Sequence, residues 1–146
     1  MKYTEVKGDL FDVGIDYALA HCISWDCKMG KGIAAEFNEM FPNMKTRLIR
    51  TLALESEYYP HARLFVDGNI KVINLITKPK YFMKPTPLSM RRALTSMRKV
   101  CMENHIDKVA IPQIGAGLDR LPWDNTKKTI MEVFGSMDIE ILVCVL

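Results

Sequence analysis

The sequence predicts an α/β sandwich with a central mixed sheet, and three observations carry that reading. Apolar runs of strand length alternate with helical periodicities through the second half of the chain. A hairpin signal lies mid-chain, which makes one strand pair antiparallel. The length, 146 residues with 49% hydrophobic and 25% charged side chains, suits one core of ordinary size and one domain over 1–146. Disorder, collagen and coiled coil are excluded as descriptions of the whole chain.

Tyr3–Lys7 alternates polar and apolar residues and reads as a first strand ending at Gly8-Asp9. Tyr17–Ile23 is a mostly apolar run, the mark of a strand covered on both faces. Lys31–Phe41 places Ile33, Ala34, Phe37, Met40 and Phe41 three and four apart, on one helical face. Pro42 interrupts that helix, and Met44–Leu54 resumes the pattern. Ala62–Val66 and Ile70–Thr77 flank Asp67-Gly68-Asn69, a turn in which glycine accepts positive φ. Thr86-Pro87 offers an N-cap followed by proline at N1, and Met90, Leu94, Met97 and Cys101 form the stripe of the helix that follows. Lys108–Ile114 is a strand, Asp124–Gly135 a helix and Ile139–Val145 a closing strand.

Twenty basic against 17 acidic residues leave a net charge of +3, a mild preference for anionic partners that falls short of a dedicated nucleic-acid binder. Cys22, Cys27, Cys101 and Cys144 are too sparse for a secreted disulfide framework, and no apolar leader or membrane-length run accompanies them. The expectation is a reduced protein of the cytoplasm or nucleus, without a membrane partner. Nothing resembles a coiled-coil seam, so a monomer is expected. His21, Cys22 and Cys27 match none of the common zinc spacings, and no metal or cofactor is expected.

Two glycine pairs each follow a predicted strand and precede a predicted helix: Met29-Gly30-Lys31-Gly32-Ile33 and Ile114-Gly115-Ala116-Gly117-Leu118. Glycine lets backbone amides approach a ligand, and the helix start that follows carries partial positive charge, so each turn suits phosphate. In a parallel sheet both turns emerge at the carboxyl edge. Neither pair completes a dinucleotide fingerprint or a P-loop, which excludes standard nicotinamide dehydrogenases and P-loop NTPases. Asp9 follows the first strand at the same edge, as a ribose or nucleobase acceptor or as a plain capping aspartate. Asp119 stands beside the second turn, where it serves as a proton acceptor or pairs with Arg120. Lys78 ends a strand; on single-residue grounds a surface charge is the ordinary reading, and a phosphate contact or nucleophile the sharper one. His21 reads as a core or edge histidine, and Trp25 and Trp123 as packing residues able to stack on a ring.

Taken together, GDL at Gly8–Leu10, AHCIS at Ala20–Ser24, MGKGIA at Met29–Ala34, LITK at Leu75–Lys78 and PQIGAGLDRLPW at Pro112–Trp123 resemble a macrodomain. Within that superfamily the chain is most similar to the terminal ADP-ribose protein glycohydrolase group, with the segments in the same order from Tyr3 to Leu146. LITK and GLDRL-W are the specific elements. The resemblance implies a three-layer α/β/α sandwich that binds ADP-ribose in a surface cleft. Asp9 and Leu10 would hold the adenine, the loop from Ser24 through Gly32 would surround the distal ribose, and Gly115–Leu118 would wrap the diphosphate. It also implies substrate contacts from His21, Met29, Gly30, Ile33, Ile114, Ala116, Gly117 and Leu146. The family's attacking lysine and proton-handling aspartate match Lys78 and Asp119. The loop departs from the family pattern at Trp25, where relatives carry a smaller or acidic residue, and at Lys31 between the glycines.

The activity implied is release of mono-ADP-ribose from glutamate or aspartate esters, with O-acetyl-ADP-ribose and ADP-ribosylated nucleic acid as further substrates. The expected partners are accordingly ADP-ribose and ADP-ribosylated protein. Two other readings stand beside it: a phosphatase acting on ADP-ribose 1″-phosphate, and a reader that binds ADP-ribose without cleaving it. A reader needs neither Lys78 nor Asp119.

Overall fold

A computed structural model describes all of residues 1–146. The order of elements is β1 (Lys2–Lys7), a 3-10 turn (Leu10–Asp12), β2 (Ala18–Ser24), α1 (Gly32–Met40), α2 (Pro42–Ala53), β3 (His61–Asp67), β4 (Ile70–Lys78), α3 (Pro87–Glu103), β5 (Lys108–Ile111), α4 (Trp123–Phe134) and β6 (Glu140–Val145). The six strands form one sheet in the order β1-β6-β5-β2-β4-β3. Every neighbouring pair is parallel except β3 with β4, so the sheet is mixed through the hairpin the sequence announces.

Side-chain alternation along the strands divides the core into two halves. Leu19, Ile23, Val72 and Ile76 face α1 and α2, where they meet Phe37, Phe41, Met44, Leu48 and Leu52. Ala18, Ala20, Ile73, Leu75, Val109 and Ile111 face the other way, onto Met90, Leu94, Met97 and Cys101 of α3 and Ile130 and Phe134 of α4. This is the expected three-layer α/β/α sandwich.

Local chemistry accounts for the element boundaries. Thr86 accepts from the Ser89 amide at 3.0 Å while Ser89 Oγ accepts from the Thr86 amide at 2.8 Å, a reciprocal cap that starts α3 with Pro87 in its first turn. Pro42 does more than interrupt: it opens α2, because proline at N1 lacks only an N–H that would go unbonded there. In the hairpin Asp67 pairs with Ile70 inside the ladder, so the turn proper is Gly68-Asn69, with Gly68 at φ +60. One expectation is corrected. β5 stops at Ile111 instead of running to Ile114, because Pro112 has no N–H for the ladder and the Ile114 amide turns back to the Pro112 carbonyl.

His21 is paired in register with Asn74 across β2 and β4, and its Nε2 lies 2.7 Å from Asn74 Oδ1. Its ring stacks on Phe37 with centroids 3.8 Å apart, and Nδ1 has no partner. Burial pushes its pKa down to about 4, partly opposed by the Asn74 hydrogen bond. The unfolded chain therefore binds this proton more readily than the folded one. The resulting stability is complete above about pH 6.5 and is lost as pH falls towards 4. The loss should reach about 3 kcal/mol, read as a falling melting temperature across that window. His21→Gln should flatten the profile; a variant that keeps the parent's slope would remove His21 as its source.

Candidate active site

Because the strands other than β3 run parallel, their carboxyl ends gather along one edge of the sheet, and the loops that follow β1, β2, β4 and β5 meet there. The loop after β2 bends sharply: Cys27, Met29 and Gly32 all have left-handed backbone, at φ +54, +49 and +60. Non-glycine residues rarely adopt that conformation and cluster where surrounding contacts enforce it. Asp26 supplies those contacts. Its carboxylate accepts from the Ser24 hydroxyl, from the Lys28 amide at 3.4 Å and from the Tyr81 amide at 3.1 Å. Burial opposes its charge, yet the hydrogen bonds outweigh burial and hold the carboxyl below its usual range. The amides of Met29, Gly30 and Lys31 have no backbone acceptor, and α1 begins without a side-chain cap. Together they present donors and a helix start suited to an anion.

The loop after β5 closes on itself through the Leu121 amide, which donates to the Gly115 carbonyl at 2.6 Å. Gly115 has φ +76, and a Cβ there would stand 2.9 Å from Met90 Cε and 3.1 Å from Leu121 Cδ1. Gly117, Leu118 and Asp119 keep amides that donate to no backbone carbonyl. The two turns touch: a Cβ on Gly32 would come within 3.3 Å of Leu118 Cδ1. A cavity of about 330 Å³ lies elsewhere, between Trp25 and Asp26, the end of α2 at Leu52 and Ala53, and Glu55 beyond it, and neither glycine turn lines it.

Lys78 and Asp119 meet across these loops. Lys78 Nζ donates to Asp119 Oδ1 at 2.6 Å, and each side chain is only 15% exposed. Neither is the surface charge that single-residue reasoning favours for Lys78, and Asp119 pairs with Lys78 rather than Arg120. A bulge aims the lysine. Ile23 pairs with Ile76 but Ser24 pairs with Lys78, so Thr77 is an extra residue on β4 and the strand's alternation resets at Lys78. The Trp25 amide donates to the Lys78 carbonyl at 2.8 Å, which ties the first loop to the lysine's backbone. Cys22 lies beneath the pair. Burial and the nearby Asp119 carboxylate push its thiol up to about 12, so it stays protonated.

The remaining sequence-derived residues separate into exposed and buried groups. Asp9 is exposed and caps the 3-10 turn through the Phe11 amide at 2.9 Å, the capping role its position allowed. Leu10, Ser24, Met29 and Ile114 are buried, Ile33 and Ala116 half-buried, and Gly30, Gly117, Leu118 and Leu146 exposed. His21 has no exposed surface and lies in the α1-side core, so in this structure it offers nothing to a ligand. Asp26 and Cys22 escape sequence reasoning. An aspartate two residues past a strand carries no mark of the amides it will collect, and Cys22 reads as one more small residue of an apolar run.

The arrangement is that of a known family. The Macro domain family model matches residues 21–130. The human protein named ADP-ribose glycohydrolase OARD1 is 40% identical over 142 residues, covering 97% of this chain and 90% of its own. The DNA ADP-ribosyl glycohydrolase of Mycobacterium tuberculosis is 28% identical over 145 residues, 94% of this chain and 40% of that protein. Among solved structures, the macrodomain of Mycobacterium tuberculosis DarG superimposes with a TM-score of 0.88 at 23% identity, covering 97% of this chain and 96% of that one. The chain belongs to the Macro domain family.

Gly115→Ala should destabilise the protein by about 1–2 kcal/mol, since it adds left-handed strain and crowds Leu121, while Met90 Cε, the tip of a flexible side chain, can move aside. Gly117→Ala, with nothing within 4 Å, should stay within about 0.5 kcal/mol of the parent. Equal melting temperatures for the two variants would refute the packing argument.

Proposed function

We propose that this hydrolase, residues 1–146 acting as one macrodomain, removes mono-ADP-ribose from glutamate and aspartate esters. O-acetyl-ADP-ribose and ADP-ribosylated nucleic acid are further substrates of the same chemistry. The observation that carries the reading is the 2.6 Å contact between Lys78 Nζ and Asp119 Oδ1, beside two turns with unbonded amides. The activity in the human relative's name points the same way.

The turn Gly115–Leu118 would take the diphosphate, and the loop from Ser24 through Gly32 would surround the distal ribose and set it over Lys78. A protonated amine cannot attack carbon, so its proton must first leave, and Asp119 is the acceptor in hydrogen-bonding reach. The free amine displaces the ester at C1″ of the closed ribose: a C1″–N bond forms as the C1″–O bond to the ester breaks, the carboxylate departs with the electron pair, and the new ammonium gives up a proton to solvent. Water then cleaves the C1″–N bond, which frees ADP-ribose and restores the lysine. The low exposure of both side chains limits competing solvent at the attacking nitrogen. Cys22, held as a neutral thiol, adds no second charge to the pair.

Lys78→Ala and Asp119→Ala should each slow release of ADP-ribose from a glutamate-modified protein by about 100-fold or more. Calorimetric binding of free ADP-ribose should persist in both. Mass spectrometry of the parent during turnover should find a sugar adduct on Lys78. Undiminished release by both variants would overturn the mechanism. Phosphate release from ADP-ribose 1″-phosphate that survives loss of Lys78 would assign a phosphatase instead, and binding without turnover of any ester would assign a reader.

A further inference from the structure

The charge of this chain is unevenly distributed. Residues 68–102 hold eight of the 20 basic side chains and none of the 17 acidic ones, so the rest of the chain is net negative. Lys78 lies inside this acid-free stretch, and the turn that leaves it reads Pro79-Lys80-Tyr81-Phe82-Met83-Lys84-Pro85. The turn is well held. The Tyr81 amide is bound by Asp26, the Met83 amide donates to the Lys80 carbonyl at 3.0 Å, and Pro85 is buried. Its side chains nonetheless point outwards: Tyr81 is 56%, Phe82 72% and Met83 42% exposed. Single exposed apolar residues are ordinary, but three in succession on an anchored turn are not. The Tyr81 and Phe82 rings stand at 90° with centroids 5.5 Å apart, so their faces point in different directions. Lys28 reaches over the Tyr81 ring at 6.0 Å, and neither it nor Lys80 or Lys84 has a carboxylate partner.

We propose that the turn 79–85 is a platform for a single-stranded nucleic acid that carries the ADP-ribose, with bases stacking on Tyr81 and Phe82 and phosphates meeting Lys28, Lys80 and Lys84. The proposal rests on the sugar-carbon chemistry assigned above to Lys78, because an acceptor joined to that carbon leaves the site beside the residues that follow the lysine. Exposed aromatic faces among unpaired cations are what an unstacked strand needs, since every base has a π-face and every linkage a charge. A protein acceptor would gain from the apolar rings, but it brings no regular row of anions to Lys28, Lys80 and Lys84, as a strand with one phosphate per base does. An acidic peptide would use only the lysines.

The test compares the parent with Tyr81→Ser/Phe82→Ser and with Lys80→Ser/Lys84→Ser on three substrates: an ADP-ribosylated single-stranded oligonucleotide, made as DNA and as RNA, a glutamate-modified protein, and O-acetyl-ADP-ribose. The aromatic variant should raise KM for the oligonucleotide by about tenfold or more while leaving O-acetyl-ADP-ribose turnover unchanged. The lysine variant should also flatten the salt dependence of that KM, lowering the log–log slope by about one. Unmodified oligonucleotide binding, followed by fluorescence anisotropy, should weaken in parallel. This last arm does not depend on catalysis. A parent that binds the bare strand but cleaves no substrate would remove the chemistry and keep the platform. Unchanged oligonucleotide kinetics and binding in both variants would overturn the platform. A loss confined to the protein substrate would overturn it too, and would give the turn to a polypeptide acceptor.

Discussion

The geometry of the site depends on one ion pair that spans a strand. Lys78 ends β4 and Asp119 follows β5, while β2 runs between those two in the sheet. For the side chains to meet, the loop after β5 must reach across the end of β2, and the side chain below the crossing must be small. Cys22 meets that need. A bulkier residue would lift the pair, and an acidic one would place a second negative charge beside Asp119. The bulge at Thr77 is the other half of the arrangement, because in unbroken alternation Lys78 would share the face of Ile76, towards α1 and α2.

The loops around the pair are fixed by polar groups as well as by the apolar packing of Cys27, Met29 and Ile114. Asp26 gathers the Ser24 hydroxyl and two amides from separate segments, one of them on the turn after Lys78. The Trp25 amide binds the Lys78 carbonyl. The loop after β2 is thus joined at two points to the chain around Lys78. Such tying holds Lys78 within the narrow tolerance that the attack proposed for it would require.

Much of the fold is legible because local chemistry and the tertiary result agree. The reciprocal cap at Thr86 and Ser89, the glycine turn after Asp67 and the apolar runs of β2, β4 and β6 each speak for themselves in sequence. The early end of β5 was also readable, since Pro112 cannot join a ladder, but the apolar residues Ile111 and Ile114 obscure it. The strand order, the Thr77 bulge and the pairing of His21 with Asn74 are different in kind. They follow from which strands become neighbours, and no local periodicity encodes that. The joining of Lys78 to Asp119 is legible through resemblance to a family, since the residues' own surroundings suggest a surface charge at Lys78 and leave Asp119 between a proton acceptor and a partner of Arg120.

The contact of Leu118 with Gly32 bears on how quickly a ligand gains entry. Where the two turns meet stands a single leucine side chain, two-thirds exposed and resting on a residue without one. Exposed side chains change rotamer in picoseconds to nanoseconds, far faster than loops rearrange. For the anion proposed to bind there, turning this side chain aside asks for no backbone motion.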